Sequence, residues 1–528
     1  MKVLAADGVS PRGIEILREA GFTVEVKDKL TAEELLATIG AYDALIVRSA
    51  SKVTKEVLAA GKNLKIIGRA GVGVDNIDVS AATAAGIIVI NSPGGNTTAA
   101  TEHTIGMMLA MARHIPVANE TTQKGEWNRK QYVGVELRGK TLGVVGLGRI
   151  GAGVAKRAQA FEMNVIGYDP YVTEDRARVM GVELVTLEQI VERSDFITVH
   201  MPLTAETRNM FHKDNLAKMK KGVRLVNCAR GGIINEEDLA AAVKAGIVAG
   251  AAIDVFTTEP IPPDHPLLGL PGVVLTPHLG ASTIEAQIGV SIDVAEGIVS
   301  ALRGEPVMTA VNMAPVSPQV MNVIKPFFDL AERLGCMAEA LAEGAVRAVE
   351  VEYTGDITEV NTKLLTTAVL KGLLNPILET TVNYVNAPGL AKDRGIAVRE
   401  VKSKEAANFT NLITVKAETE KKTVVLQGAL FGSEGRVVSI DGYRVDVDPH
   451  KRILLCPHIN RPGIIGKVGS LMGDEGINIS GMQVGKTEQE GTNIMVLTID
   501  NEVPVAVIEQ VAALDGIFGA KLIDFDLL

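Results

Sequence analysis

Residues 141–169, TLGVVGLGRIGAGVAKRAQAFEMNVIGYD, decide the fold of this chain. The apolar run TLGVV predicts a buried strand, AGVAKRAQAF predicts a helix, and NVIGYD predicts a second strand. Between the first strand and the helix lies GLGRIG (146–151), which has the spacing GxGxxG. A strand, a glycine-rich turn, a helix and a second strand form a βαβ unit of the kind that binds dinucleotides.

Each glycine of this turn has a physical role in such a unit. Gly146 permits the tight turn, Gly148 lets backbone N–H groups approach a pyrophosphate, and Gly151 lets helix and strand pack closely. Asp169 follows Gly151 by 18 residues, at a strand end where its carboxylate can accept hydrogen bonds from the adenosine ribose. Because the carboxylate would repel a 2′-phosphate, the pattern predicts NAD rather than NADP. A turn without a ligand is the alternative, and the complete βαβ context disfavours it.

Composition narrows the class of protein. The 528 residues are enough for three or four domains, and 47% hydrophobic residues with 4% aromatic ones suit parallel sheets covered by helices. The net charge of −10 argues against nucleic acid or an anionic membrane as the main partner. We expect a cytoplasmic protein, because neither an N-terminal signal nor a bilayer-spanning apolar stretch is visible. The three cysteines lack paired spacing, so no metal site is expected.

The rest of the chain has a modular pattern. Residues 1–96 alternate apolar runs with helical patterns and predict a second doubly wound α/β unit. Beyond the fingerprint the alternation resumes and ends in a long helix near 281–303, and residues 304–320, with three prolines, predict a linker. Residues 321–450 have an α+β pattern, with one strand in GRVVSIDGYRVDVDP (435–449). The last segment has the βαββαβ order of a ferredoxin-like domain.

A dehydrogenase needs a base for the hydroxyl proton, and eight histidines are available. His200 and His278 end predicted strands, at the edge where open α/β sheets bind ligands. His278 is the better candidate, because TPHLGAS places it in a tight loop ahead of a long helix. A structural role is the alternative for His278, and His103, inside a long helical pattern, is expected to be structural.

Two further strand ends carry groups that suit this chemistry. Arg230 follows the strand VRLVNCA and can bind a 2-hydroxy carboxylate through two parallel hydrogen bonds. Glu259 follows GAAIDVF, and beside His278 it would favour the charged imidazole and fix its tautomer. Taken singly, each of these could be an ordinary surface charge near a turn. Three such groups at successive strand ends favour a catalytic site.

Seven segments carry a resemblance to a known family. They are VRSASKVT (47–54), GRAGVGVDNID (68–78), NSPGGNTTAATEHTIGMML (91–109), GLGRIG (146–151), NCARGGIINEEDL (227–239), AIDVFTTEP (252–260) and TPHLGAST (276–283). With them the chain resembles the D-2-hydroxyacid dehydrogenases and, more narrowly, the D-3-phosphoglycerate dehydrogenases with a C-terminal regulatory extension. The resemblance covers essentially all 528 residues.

The resemblance implies four domains and a reaction. A substrate-binding domain would comprise residues 1–96 and 283–312, with an NAD-binding domain (97–282) inserted in it. An intervening allosteric domain (313–450) and an ACT regulatory domain (451–528) would follow. The implied activity is NAD-dependent oxidation of D-3-phosphoglycerate to 3-phosphohydroxypyruvate, the first step of L-serine biosynthesis, in a homodimer or homotetramer.

The resemblance also implies roles for individual residues. They are Arg230, Glu259 and His278 for catalysis, Arg48, Arg69, Asn96 and Arg230 for the substrate, and Gly146, Gly148, Arg149, Ile150, Gly151, Asp169, Cys228 and Asp254 for NAD. Some relatives have a second arginine where this chain has Ala50, so phosphate binding must come from elsewhere. Arg129 and Lys130, reaching a neighbouring subunit, are candidates.

The C-terminal segment is similar to ACT domains, which sense small molecules in amino-acid metabolism. Its run HINRPG (458–463), followed by Asn478, resembles the serine-binding pattern of the family. His458, Asn460 and Asn478 are therefore expected to bind L-serine as an effector, with the two asparagines bonding both ends of the amino acid. Alternatively, these residues only cap and turn the fold.

Two other functions stay open at this point. Another D-2-hydroxyacid dehydrogenase, such as a hydroxypyruvate or glyoxylate reductase, would share the motifs, but such reductases usually end near residue 320. An NAD-sensing binding protein, like the corepressors that share this fold, would lack a catalytic residue or have a disordered tail.

Overall fold

The computed structural model describes residues 1–28, 30–303, 305, 307, 309–314, 316–378, 381–404, 409–487 and 491–525. Three β-sheets organise these residues. Among the described helices, none combines the length and the apolar character that a membrane crossing requires.

The first sheet is built from short apolar runs. Its strands and the helices between them are β1 (Lys2–Ala5), α1 (Pro11–Glu19), β2 (Thr23–Val26), α2 (Ala32–Thr38), β3 (Ala44–Val47), α3 (Lys55–Ala60), β4 (Ile66–Arg69), α4 (Val79–Ala84) and β5 (Ile88–Asn91). All five strands are parallel, in the order β2-β1-β3-β4-β5. The central strand β3 is buried along its whole length, as it must be when helices cover both faces of a parallel sheet.

The second sheet contains the fingerprint. Its elements are α5 (Thr97–Ala112), α6 (Ile115–Gln123), β6 (Thr141–Val145), α7 (Arg149–Ala160), β7 (Asn164–Tyr168), α8 (Glu174–Val179), β8 (Glu183–Leu184), α9 (Leu187–Arg193), β9 (Phe196–Val199), α10 (Lys213–Leu216), β10 (Val223–Asn227), α11 (Glu236–Lys244), β11 (Val248–Ile253) and β12 (Val273–Leu275). The seven strands are parallel, in the order β12-β11-β10-β9-β6-β7-β8. The strand order reverses between β9 and β6, which opens a crevice outside their carboxyl ends.

After the second sheet the chain returns to the first. Helix α12 (Ile284–Leu302) packs on the first sheet, where a Cβ on Gly68 of β4 would lie 2.3 Å from Cγ1 of Val294. Val311 N then donates to Val89 O, and Asn312 Oδ1 accepts from Val89 N. The prediction of a linker over 304–320 does not hold for residues 311 and 312, because backbone pairing to an edge strand requires no apolar periodicity.

The third sheet has ten strands and mixed directions. Its elements are α13 (Pro318–Ile324), α14 (Phe328–Leu341), β13 (Ala348–Gly355), α15 (Lys363–Leu374), α16 (Ala387–Asp393), β14 (Ala397–Ser403), β15 (Asn411–Glu418), β16 (Thr423–Phe431), β17 (Glu434–Ile440), β18 (Tyr443–Val447), β19 (Arg452–Ile459), α17 (Ile464–Asp474), β20 (Ile479–Lys486), β21 (Thr492–Ile499), α18 (Val505–Ala512) and β22 (Lys521–Ile523). From β19 onward the order is βαββαβ, with strands arranged β20-β21-β19-β22. The predicted fold class is confirmed: two doubly wound α/β units, an α+β region and a ferredoxin-like end.

Two details of the third sheet differ from the prediction. The single strand expected over 435–449 is wrong, because Asp441 (φ 48°) and Gly442 (φ 84°) form a two-residue turn between β17 and β18. An Asp-Gly pair with both φ values positive is a strong hairpin signal. The edge strand β14 was not predicted, since its residues are mostly exposed and show no apolar alternation.

The ferredoxin-like strands share a hydrophobic core with the preceding α+β region. Ile453 and Leu455 of β19 belong to the same buried cluster as Leu330 and Leu334 of α14. The guanidinium of Arg333 also lies 5.6 Å from the ring centroid of Phe525, near the end of the described chain. Removal of the C-terminal segment would therefore expose apolar surface of the α+β region.

Candidate active site

The glycine-rich turn has the shape that a bound pyrophosphate requires. Gly146 has a φ of 96°, in the left-handed region. A Cβ on Gly151 would lie 1.9 Å from Gly146 O, so only glycine lets α7 pack against the turn. A Cβ on Gly148 would meet nothing within 4 Å, so the start of α7 is open. Its free backbone N–H groups and helix dipole favour an anion there.

Asp169 lies beside this turn, at the end of β7. Its Oδ2 accepts from Leu147 N at 2.8 Å and its Oδ1 from Tyr171 N at 2.9 Å. Each carboxylate oxygen keeps a second lone pair for a ribose hydroxyl. Arg149 and Ile150 form the first turn of α7, and Nη1 of Arg149 lies 3.8 Å from where a Cβ on Gly94 would be. The cofactor turn therefore faces the loop that follows β5 of the first sheet.

His278 and Glu259 form a hydrogen-bonded pair. Nδ1 of His278 lies 2.7 Å from Oε2 of Glu259, and Oε1 of the same glutamate accepts from Phe256 N at 3.0 Å. Burial raises the pKa of Glu259, but these hydrogen bonds outweigh it and lower the pKa below its usual value. An ionised Glu259 accepts a hydrogen bond from a protonated Nδ1 of His278, so Nε2 of His278 is the proton acceptor.

Arg230 connects the two α/β units. It follows β10 of the second sheet, and its Nε donates to Oδ2 of Asp75, beyond β4 of the first sheet, at 3.1 Å. A Cβ on Gly73 would lie 1.9 Å from Nη2 of Arg230, so the glycine lets the guanidinium lie against the backbone. A Cβ on Gly231 would collide with Phe256 O at 2.0 Å, so the Arg230 loop lies directly against the chain that leads to Glu259.

Two further arginines lie near Arg230. Burial, together with repulsion from Arg230 and Arg48, lowers the pKa of Arg69 to about 10. Among the described residues, Nε of Arg69 and Oδ1 of Asn96 are buried without a hydrogen-bond partner. These three cations form a site for an anion, since a bound carboxylate or phosphate would relieve their repulsion and accept a hydrogen bond from Nε of Arg69, while a substrate hydroxyl could donate to Oδ1 of Asn96.

Asp254 lies beneath the His278 loop and is fully buried. Its carboxylate accepts from Thr276 Oγ1, Leu279 N and Gly280 N at 2.5, 2.7 and 2.9 Å. Oδ1 also lies 3.1 Å from Nε2 of His103.

His103, Cys228 and Asp254 have potential metal-ligand atoms within 4.8 Å of one another. Burial raises the pKa of the Cys228 thiol to about 12, and Asp254 already accepts several hydrogen bonds. Because the Cys228 thiol stays protonated and the Asp254 carboxylate is already hydrogen-bonded, this cluster is better explained as a hydrogen-bonded network than as a cation site.

Three family models match this chain. Residues 105–280 match the D-isomer specific 2-hydroxyacid dehydrogenase, NAD binding domain. Residues 323–441 match the D-3-phosphoglycerate dehydrogenase intervening domain, and residues 453–516 match the ACT domain.

Full-length relatives decide the family. The chain is 46% identical over 526 residues to D-3-phosphoglycerate dehydrogenase of Archaeoglobus fulgidus, with 99% of this chain and 100% of that protein covered. It is 47% identical over 525 residues to D-3-phosphoglycerate dehydrogenase of Methanocaldococcus jannaschii, with the same coverage. This chain belongs to the D-3-phosphoglycerate dehydrogenase family.

A solved structure supports the cofactor assignment. NAD-dependent formate dehydrogenase from Staphylococcus aureus, in complex with NAD, matches 60% of this chain and 100% of its own with a TM-score of 0.55 and 32% identity. As a member of the D-3-phosphoglycerate dehydrogenase family, the protein is an NAD-dependent oxidoreductase. The open position at Gly148 and the left-handed Gly146 fit a dinucleotide.

His200, the second strand-end histidine, has a different environment. Desolvation lowers its pKa to about 4, and its Nε2 lies 2.9 Å from Thr198 Oγ1. A ring of such low basicity is a poor proton acceptor at neutral pH. A Cβ on Gly146 would lie 2.6 Å from His200 O, so this residue borders the glycine-rich turn through its backbone.

The structure does not bring the expected effector residues together within one chain. Ile459 pairs with Thr492, at one end of β21, whereas Ile479 pairs with Ile499, at the other end. Asn460 and Asn478 therefore lie at opposite ends of an eight-residue strand, roughly 23 Å apart at 3.3 Å per residue. Asn460 and Asn478 of one chain therefore cannot both bond the same amino acid, because the βαβ connection makes β19 and β20 run in the same direction.

His458 and Asn478 have contrasting surroundings. His458 is buried, with Nδ1 2.8 Å from Ile459 O, and its Nε2 has no partner among the residues that the structure describes. Nδ2 of Asn478 donates to Oδ2 of Asp500 at 2.9 Å. The end of β19 thus holds an unsatisfied polar group, while Asn478 already has a partner.

Sequence reasoning missed the position of His103 beside the catalytic loop. His103 and Asn96 are seven residues apart, two turns of helix, so they share a face of α5. Asn96 precedes the helix in the segment NSPGGN, and this spacing is the signal that could have placed His103 near the site.

Proposed function

We propose that this enzyme oxidises the C2 hydroxyl of D-3-phosphoglycerate to a ketone with NAD, giving 3-phosphohydroxypyruvate for L-serine biosynthesis. The full-length relatives carry that name. The observation that carries the proposal is the pairing of an ionised Glu259 with His278 beside the cluster of Arg48, Arg69 and Arg230. A base and an anion site at one cleft are what a phosphorylated 2-hydroxy acid requires.

The proposed mechanism follows from this geometry. Arg230 binds the C1 carboxylate in two parallel hydrogen bonds and holds C2 in place. Nε2 of His278 takes the hydroxyl proton, and Glu259 stabilises the imidazolium that forms. When bound, NAD supplies the acceptor for the hydride that leaves C2. The carbonyl forms as the O–H and C–H bonds break.

The substrate phosphate needs further cations. Arg48 follows β3, Arg69 ends β4 and Asn96 directly precedes α5, and we assign these three residues to the substrate. Arg129 and Lys130 remain candidates from a neighbouring copy. They belong to a segment whose side chains include the highly exposed Trp127 (85%) and Val133 (79%), an apolar surface that suits a homo-oligomer contact.

The domain boundaries inferred from the sequence also remain our proposal. Residues 290–302 share a buried cluster with residues 3–90, which supports a substrate domain made of two segments. Residues 105–252 supply an NAD domain cluster of their own.

We further propose L-serine as the effector of the ACT domain, bound between two copies of the chain. The opposite placement of Asn460 and Asn478 supports this, because Asn478 of one copy can meet Asn460 of another only across an interface.

Steady-state assays test the catalytic proposal. We expect NAD reduction with D-3-phosphoglycerate at a kcat/KM at least about 10²-fold above that for D-glycerate, since the phosphate adds charge-assisted hydrogen bonds of roughly 1.5–3 kcal/mol each. Equal values for the two substrates, or faster reduction of glyoxylate by NADH, would instead support a reductase of unphosphorylated hydroxy acids.

A further inference from the structure

We propose that His103 is a positioning residue for catalysis: its imidazole holds Asp254, and Asp254 holds the loop that carries His278. Nε2 of His103 lies 3.1 Å from Oδ1 of Asp254 and 3.3 Å from Oγ1 of Thr276, which itself donates to Asp254. The inference rests on the proposed function, because His278 is the group that it serves.

Asp254 fixes three consecutive residues of the catalytic loop. Its main-chain oxygen accepts from His278 N at 2.9 Å. Its carboxylate accepts from Leu279 N at 2.7 Å and from Gly280 N at 2.9 Å. His278 has a φ of 57°, a conformation that a non-glycine residue keeps only when its surroundings hold it. The buried carboxylate supplies that restraint.

The restraint depends on an ionised Asp254. Burial raises its pKa, but the hydrogen bonds from His103 and Thr276 outweigh burial, so the pKa lies below its usual value. Loss of His103 removes the largest of the contributions that lower this pKa, so the pKa of Asp254 should rise in the variant. A protonated carboxyl is a weaker acceptor for the two loop N–H groups.

The other groups that face Asp254 cannot replace His103. The Cys228 thiol approaches from the end of β10. Its pKa is raised to about 12, so it is neutral at neutral pH and supplies no positive charge to Asp254. Glu259, from beyond β11, is a like charge that is itself paired with His278. Thr276 already donates to Asp254.

The test compares His103→Leu, which removes the donor, with His103→Gln, which keeps one. Misplaced reacting groups lower kcat, so we expect His103→Leu to lower kcat by about tenfold with a smaller change in KM. In the pH profile of this variant, the acid-side decline of kcat/KM should begin at a higher pH than in the wild type. Hydrogen exchange of the Leu279 and Gly280 amides, followed by mass spectrometry, should become faster. His103→Gln should recover much of each property.

Glu102→Ala is the matched control, since Glu102 is the neighbouring residue on α5 and its partner is Arg157 rather than the site. It should match the wild type in all three measurements. Unchanged kcat, pH profile and exchange in His103→Leu would overturn the inference, as would equal losses in the Leu and Gln variants. The exchange measurement needs no substrate, so it still decides the role of His103 if D-3-phosphoglycerate proves not to be the substrate.

Discussion

At the scale of single residues, the site is a set of side chains at the carboxyl ends of neighbouring parallel strands. The placement of Arg230, Glu259 and His278 at one edge could be predicted from the sequence, because strands β10, β11 and β12 are parallel neighbours and their carboxyl ends meet there. His103 was not, because a histidine inside a buried helix is usually structural, and its partner Asp254 lies far along the chain.

Replacing His278 with alanine tests the base. We expect kcat for D-3-phosphoglycerate oxidation to fall by about 10² to 10⁴-fold, because the hydroxyl proton loses its acceptor. NAD affinity, measured by calorimetry, should stay within about threefold of the wild type, because the turn at Gly148 is untouched. A near-normal kcat in the variant would show that His278 is not the base.

His200 should make the fold less stable in acid. Its pKa is lowered from 6.5 to about 4, so the unfolded chain binds a proton that the folded chain does not over that range. The free energy of unfolding therefore falls as pH falls, by about 1.4 kcal/mol per pH unit from this residue. In His200→Gln, urea unfolding between pH 6.5 and 4.5 should show a shallower pH dependence than the wild type. Identical slopes would show that the ring is not desolvated.

At the scale of elements, two glycines at the start of α7 have different roles: Gly148 serves ligand binding and Gly151 serves folding. Gly151 packs against backbone, whereas Gly148 faces open space, and the sequence fingerprint alone cannot distinguish the two demands. The fold class was predictable from alternating apolar runs. The hairpin at Asp441 and the edge strand β14 were not predicted, the first because a turn signal was overlooked and the second because its apolar residues are exposed and do not alternate with polar ones.

Alanine at these two glycines should give different outcomes. Gly148→Ala should weaken NAD binding by calorimetry with little change in thermal stability, because its Cβ enters the space of the ligand. Gly151→Ala should lower the free energy of unfolding by about 1–3 kcal/mol and also weaken NAD, because its Cβ collides with Gly146 O. Equal stability losses in both variants would contradict this division.

At the scale of the whole molecule, the proposed serine site requires two copies of the chain. The ACT strands share a core with the α+β region, so deletion of the C-terminal segment would disturb both. The sequence could supply the residues of an effector site but not their separation, which depends on strand direction. Point variants are therefore the informative test of serine binding.

Asn460→Ala and Asn478→Ala should each abolish serine binding and serine inhibition while leaving catalysis intact. Chains of the two variants, unfolded and refolded together, should regain one serine site per mixed pair, because one interface then combines Asn460 and Asn478 from unmutated positions. Calorimetry of the mixture measures that stoichiometry. No recovery in the mixture, with binding lost in each single variant, would place both asparagines in one chain's site.

The most direct test of the whole account is NADH formation from D-3-phosphoglycerate, followed by absorbance for the wild type and for His278→Ala at equal NAD saturation. We expect stereospecific turnover of the D isomer by the wild type and a loss of about 10² to 10⁴-fold in the variant. Absence of turnover by the wild type in both reaction directions, with NAD bound, would contradict it.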